Sequence, residues 1–299
     1  MVSVLKLIPL RKERLGLCLV ALAAVGFGVS PSFAKLAYYG GSEPLSLVAA
    51  RFTICVLAMF VIASIRKSSL WVGPKLLHIP LVMGLLLAWN ATAYLSAVRE
   101  IDVSLAAALF YTFPLQVALF SWLFGSDSLS VGRVSALFIG FTGVVLVISL
   151  NLSRPNMSGI ALALGGGCGV ALTSVLFARV ADIENSIGLI LWSMVVACLA
   201  SWFFVFFRGG VAFPVNWVGW SGFVVSMLGF SLAVIAYYLA LPMIGPVRAA
   251  IVANLEPIIA VLMAMFLLNE RLGPVQVSGI ILIVVAVYLG GRPSVRQSN

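Results

Sequence analysis

The sequence predicts an all-α membrane protein, with ten transmembrane helices in two inverted five-helix repeats and both termini cytoplasmic. Three observations predict it. Of 299 residues, 63% are hydrophobic and 9% charged, where a soluble globular protein carries roughly 25% charged residues. Long charge-free runs recur along the chain. The second half also repeats residues of the first. With a mean hydropathy of +1.18, these features exclude an ordinary soluble enzyme, a disordered chain and a disulfide-rich secreted domain.

A helix crosses the hydrocarbon core with roughly 20 apolar residues. The runs Leu15 to Ala34, Val103 to Ser126, Asn185 to Phe207 and Leu272 to Gly291 meet that length without a charge. Alternating segments of a strand barrel are missing from the pattern. The first helix, 15–38, follows a basic stretch that includes Arg11, Lys12 and Arg14. The second, 44–65, ends at Arg66-Lys67. The third, 76–98, lies between Lys75 and Arg99, and the fourth, 101–124, covers the second uncharged run. The fifth is placed at 131–150 and the sixth at 158–179, closed by Arg179. The seventh, 185–207, stops at Arg208. The eighth, ninth and tenth are placed at 217–241, 246–268 and 273–291, the last ending before Arg292. Connections are short, so no soluble domain is left for a separate catalytic site.

Basic residues ahead of an apolar run that ends in Ser32-Phe33-Ala34, which could pass for a cleavage site, also describe a signal peptide. The repeat below predicts that the segment is retained. Loop charges set the orientation. With the N-terminus inside, Lys6, Arg11, Lys12, Arg14, Arg66, Lys67, Lys75, Arg133, Arg179, Arg248, Arg292 and Arg296 face the cytoplasm. Lys35, Arg51, Arg99, Arg154, Arg208 and Arg271 fall on the outer side. That bias places both termini inside, as an even number of spans requires. The net charge of +9 is therefore an orientation signal. It forms no basic patch with interleaved aromatics, so nucleic acid is not an expected partner.

A shift of 143 residues lays the fourth helix on the ninth without a gap. Ala106-Ala107 meets Ala249-Ala250, Pro114 meets Pro257, Asp127 meets Glu270, and Tyr94 meets Tyr237. At a shift of 144, the segment Ser30 to Ala37 falls on Ser174 to Ala181, with Lys35 on Arg179. The repeats are 1–150 and 151–299, forming one structural unit. Five helices per repeat is an odd number, so the second half enters the membrane from the opposite side. Such inverted repeats are the mark of a transporter with its site near the midplane, between the halves.

Gly28-Val-Ser-Pro-Ser-Phe-Ala-Lys35, Ala49-Ala-Arg-Phe52 and above all the run from Ala253-Asn-Leu-Glu-Pro257 to Leu268-Asn-Glu-Arg-Leu272 resemble the EamA type of the drug/metabolite transporter superfamily. The resemblance covers nearly the whole chain. Asp127 stands where these domains usually carry Glu, and the first helix lacks their frequent Trp-Gly opening. The resemblance implies a secondary carrier in the inner membrane of a bacterium, usually an exporter of amino acids or other small metabolites. It names no solute.

Ionisable groups in a bilayer cost roughly 2.5–3.5 kcal/mol on insertion scales, so each requires a reason. Glu256 lies mid-helix beside Pro257, on a face with Ala249, Ala253, Ala260 and Ala264. A carboxylate there can take up a proton, bind an ammonium group of a solute, or sit in a fixed ion pair with Arg51 or Lys35. Its repeat mate, Phe113, is not ionisable. Lys35 and Arg179 are repeat equivalents that gate entry or snorkel as anchors. Arg51 either pairs with a carboxylate or lines the outer vestibule. Asn254, Asn90, Tyr94, Trp89, Tyr111, Gln116, Tyr237 and Tyr238 could supply the few hydrogen-bond formers of an otherwise apolar pocket. The matched prolines Pro114 and Pro257 are candidate hinges.

No cofactor or metal is expected. Cys18, Cys55, Cys168 and Cys198 lack ligand spacing, and the lone His78 cannot supply a metal site. Gly165, Gly166, Gly167 and Gly169 have neither the preceding strand nor the following Lys-Ser/Thr of a phosphate loop; close helix packing explains them. No HExxH, GxSxG or paired-carboxylate constellation points to an enzyme. The expected partners are a small-molecule solute, the lipid bilayer and protons. Uptake by the same machinery is the alternative to export, with a channel or scaffold as a further class. The residues do not set the oligomeric state.

Overall fold

A computed structural model describes residues 2–101, 103–124, 130–148, 156–180, 186–268 and 273–290. Asp127, Arg154, Glu270, Arg271, Arg292 and Arg296 lie outside them. The described residues form helices and connecting turns. In chain order these are α1 Val2–Tyr39, α2 Pro44–Ile65, α3 His78–Glu100, α4 Val103–Phe110, α5 Phe113–Leu123 and α6 Val131–Ile148. Then follow α7 Met157–Val180, α8 Ser186–Phe207, α9 Trp217–Ile244, α10 Pro246–Ala253, α11 Glu256–Leu268 and α12 Pro274–Gly290. A 3-10 turn at Pro74–Leu76 precedes α3.

Among the described residues, five helical stretches are long and apolar enough to cross a membrane: Lys12–Tyr39 within α1, and all of α2, α7, α8 and α9. The outward faces are as apolar as the interior. Phe203, Phe206 and Phe207 of α8 and Val284 of α12 are each more than half exposed, the composition a lipid-facing surface requires.

The sequence placed one helix over 101–124 and one over 246–268. The structure divides both. The first breaks at Tyr111-Thr112, between α4 and α5, and the second at Asn254-Leu255, between α10 and α11. These breaks are separated by the same 143 residues that relate the repeats. The cause is local: Pro114 and Pro257 each sit at the second position of the helix that follows. Proline has no N–H, and its ring clashes with the turn before it, so the helix restarts there rather than running through.

Packing joins the two halves of the chain. α1 runs against α9, α3 against α7, α2 against α8, and α6 against α12. Lesser contacts follow the same rule: α2 with α9, α3 with α8, α1 with α11, α5 and α4 with α7, and α5 with α10. Shifted by the repeat, the α1–α9 pair becomes the α7–α3 pair. In lipid there is no hydrophobic drive between helices, so close approach at small residues carries the association. Gly143 and Gly279 show it. A methyl group added at either would lie 2.7 Å from the other's carbonyl oxygen, so α6 and α12 touch backbone to backbone. Gly245 makes the tight turn from α9 to α10 with φ of 79°, a left-handed conformation that glycine adopts without strain.

Candidate functional site

The two helix breaks carry the polar centre. Glu256 is the first residue of α11, and its side chain is a hydrogen-bond partner of Tyr111, which lies in the break before α5. Tyr94, on α3, is within electrostatic range of both. Aromatic rings surround this group. Phe110 lies 4.8 Å from Tyr94, 5.9 Å from Tyr111 and 5.9 Å from Phe113 between ring centroids. A carboxylate among aromatic faces is suited to a cation, because the ring quadrupoles and the negative charge attract it together. The approach of α1 fixes the height of this carboxylate. A methyl at Gly28 would fall 2.7 Å from the Glu256 carbonyl oxygen.

Asn254 occupies the second break and is 1% exposed. Neither atom of its side-chain amide has a hydrogen-bond partner. Leaving one such group unsatisfied costs about 1–3 kcal/mol. The amide has room only because residue 140, on α6, is glycine; a methyl there would lie 2.8 Å from Asn254 Nδ2.

The other residues singled out in the sequence lie around this centre in distinct settings. Gln116 Nε2 donates to Thr112 Oγ1 at 2.9 Å and to the Leu164 carbonyl at 3.4 Å. Asn90 packs its backbone and Cβ against Gly166 and Gly169 of α7. Trp89 is 48% exposed and donates from Nε1 to the Gly165 carbonyl at 3.0 Å, so its ring caps the α3–α7 seam from outside. Tyr237 and Tyr238 are buried against α7. Tyr237 shares a 3.2 Å hydrogen bond with Ser174, and Tyr238 is edge-on to Phe177 at 5.5 Å.

Arg51 reaches neutral partners rather than a carboxylate. Nη2 donates to Ser30 Oγ at 2.9 Å and to Ser226 Oγ at 2.6 Å, and the guanidinium lies 4.9 Å from the Phe230 ring centre. Arg179 lies at the end of α7, 5.9 Å from the Phe124 ring centre. With His78, Phe124 and Val175 it lines a cavity of about 350 Å³. Lys35 belongs to α1, but its side chain falls outside those described. Pro114 and Pro257 open α5 and α11 as above.

Sequence reasoning missed three parts of this arrangement. Ser226 and Phe230 hold Arg51 from α9, and nothing in the sequence marks an isolated serine in an apolar run. Ser30 and Ser174 are repeat equivalents, and both make polar contacts to α9; the repeat contained that signal. Arg248 of α10 pairs with Glu13 of α1 at 2.7 Å, a contact hidden by the basic residues around Glu13.

Comparison with known proteins accounts for this arrangement. The EamA-like transporter family matches residues 14–149 and again 157–291. The chain belongs to that family. It is 27% identical over 296 residues to the uncharacterized transporter YvbV of Bacillus subtilis, covering 93% of this chain and 92% of that one. It is also 27% identical over 285 residues to the threonine/homoserine exporter RhtA of Escherichia coli K12, covering 94% and 92%. A solved crystal structure shares the fold with a TM-score of 0.76 at 18% identity, over 92% of this chain and 97% of its own. The protein is thus a multi-pass membrane transporter of the drug/metabolite superfamily, and its relatives are transporters rather than enzymes.

Proposed function

We propose that the protein is a secondary carrier that exports small metabolites across the bacterial inner membrane, with amino acids the leading class. In this reading α4–α5 and α10–α11 are the fourth and ninth of ten spans. Residues 1–150 and 151–299 form two inverted halves, and both termini are cytoplasmic. The single observation that carries it is the pair of helix breaks at 111–112 and 254–255, joined by the Tyr111–Glu256 contact. Discontinuous helices facing each other between inverted repeats are how many carriers build a site at the bilayer midplane.

The chemistry follows from the residues. The solute's ammonium group displaces the Tyr111 hydroxyl at Glu256 and rests among the rings of Tyr94, Phe110 and Phe113. Asn254 offers a donor and an acceptor from the same break as Glu256. When no solute is bound, a proton on Glu256 serves the return step. The breaks absorb the change of angle as the halves rock, because the regular helical hydrogen bonding gives way to tighter turns there. The resemblance to the exporter RhtA supports amino acids as cargo and export as the direction.

Counterflow tests the reading. Purified protein in liposomes loaded with one unlabelled amino acid at a time should accumulate the same labelled amino acid from outside, threonine and homoserine first. Glu256→Gln should raise the half-saturation constant for exchange and lose accumulation driven by a proton gradient. A folded wild type that exchanges no amino acid in the panel overturns the amino-acid assignment.

A further inference from the structure

Arg51 is the charged group that the site above leaves unused. Three contacts hold it. Ser226 Oγ donates to the Ser30 carbonyl at 2.7 Å, and Ser30 Oγ to the Ser226 carbonyl at 3.1 Å. Both hydroxyl hydrogens are therefore committed, and the hydroxyl oxygens face Nη2 as acceptors. Phe230 takes one face of the guanidinium, and the rings of Phe27 and Phe52 brace Phe230 edge-on at 5.7 and 5.9 Å. Behind Arg51, its own carbonyl accepts from Ser231 Oγ at 2.9 Å.

This mounting spends one nitrogen and leaves two. Nε is buried without a hydrogen-bond partner, and Nη1 makes no hydrogen bond. No described carboxylate pairs with Arg51; the ion pair formed by Glu13 lies with Arg248, at the start of α10. A guanidinium keeps its charge in such surroundings; with both Nη2 hydrogens spent on the serines, Nη1 is left to make a charge-assisted hydrogen bond to one carboxylate oxygen. A structural arginine in lipid is expected to have its donors filled. This one is fixed in orientation by neutral groups, and its Nε and Nη1 have no hydrogen-bond partner among the described residues.

We infer that Arg51, held by Ser30, Ser226 and Phe230, is a binding site for a carboxylate, the anionic end of the solute. The inference deepens the carrier reading and rests on it for the identity of the ligand. Arg51 stands on α2 and is held from α1 and α9, whereas Glu256 opens α11, so the carboxylate site and the ammonium site are on different helices and the solute engages them in turn.

The test separates the two ends of the solute. Thermal unfolding of protein in lipid nanodiscs is measured against N-acetyl-L-threonine, a carboxylate without an ammonium group, and against L-threoninamide, an ammonium group without a carboxylate. Wild type should be stabilised by both. Arg51→Gln should weaken the apparent affinity for N-acetyl-L-threonine roughly tenfold or more, as loss of a charge-assisted hydrogen bond requires. Its response to L-threoninamide should be unchanged. Glu256→Gln should show the reverse.

Should Arg51→Gln not fold, Arg51→Lys and the Ser30→Ala/Ser226→Ala double variant give the same reading. The first keeps charge without the guanidinium's fixed donor, and the second keeps the guanidinium without its orientation. Both should weaken the carboxylate probe alone. A purely structural arginine would lower the unliganded melting temperature and leave both responses intact. That result, or a wild type unresponsive to N-acetyl-L-threonine, overturns the inference. Absence of counterflow together with an Arg51-dependent carboxylate response would overturn the carrier reading and leave this site standing.

Discussion

Gly28→Ala is a one-carbon test of how α1 positions Glu256. The added methyl would meet the Glu256 carbonyl oxygen at 2.7 Å, Ile259 Cβ at 2.7 Å and Ile259 Cγ2 at 2.9 Å. Ordinary contact begins near 3.4 Å, so α1 and α11 must part by about 0.7 Å, given how tightly such interfaces are packed. Overpacking of that kind costs about 1–3 kcal/mol. It outweighs the gain of roughly 0.5–1 kcal/mol that alanine brings to a helix interior. A displacement near 1 Å at a reacting or binding group can cost up to about 100-fold in function. Gly28→Ala should therefore lower the melting temperature and raise the half-saturation constant for counterflow roughly tenfold or more. Gly132→Ala is the control, because a methyl there has no atom within 4 Å, and it should be neutral or stabilising. Equal behaviour of the two variants in both assays would refute the argument.

Three further outcomes follow from the same geometry. Glu256→Gln should weaken solute binding, whereas Tyr111→Phe should tighten it by about 0.5–1.5 kcal/mol, because the solute no longer has to displace the phenol; the two effects should not add, since both remove one shared contact. This is measured as a double-mutant cycle on half-saturation constants. Gly140→Ala should force the Asn254 amide to turn away from α6, and a proteoliposome assay should show reduced transport at a near-normal melting temperature. Glu13→Gln should destabilise the protein by about 1–3 kcal/mol, because it weakens the hydrogen-bonded charge contact to a largely buried Arg248 from a partly exposed partner; the exchange Glu13→Arg/Arg248→Glu should recover part of it in thermal unfolding.

The location of the breaks was legible in the sequence, although their form was not. Pro114 and Pro257 matched at a shift of 143, which marked equivalent points in two helices. The sequence could not say whether the chain would bend or unwind there. That depends on whether neighbouring groups take up the freed carbonyls, a tertiary question. Glu256 stood out because an ionisable residue in an apolar run is rare. Its partner Tyr111 also stood out, but the contact between them joins residues 145 apart, which helical periodicity does not encode. Arg51 shows the limit most clearly. Its charge was visible, yet the hydroxyls that hold it come from α1 and α9, and serines in such runs more often bond their own helix one turn back, as Ser193 and Ser201 do. The pairing of Glu13 with Arg248 was obscured for a related reason, since several nearer cations offered themselves as partners.

The central claim is that the paired breaks form a site reached in turn from each side of the membrane. The most direct measurement places a cysteine at Thr112, in a variant whose four native cysteines are replaced. A membrane-impermeant thiol reagent is then applied to right-side-out and inside-out vesicles. The account predicts labelling from both sides, slowed from both by the solute that counterflow identifies. Labelling from one side only, at a rate the solute does not change, would contradict it.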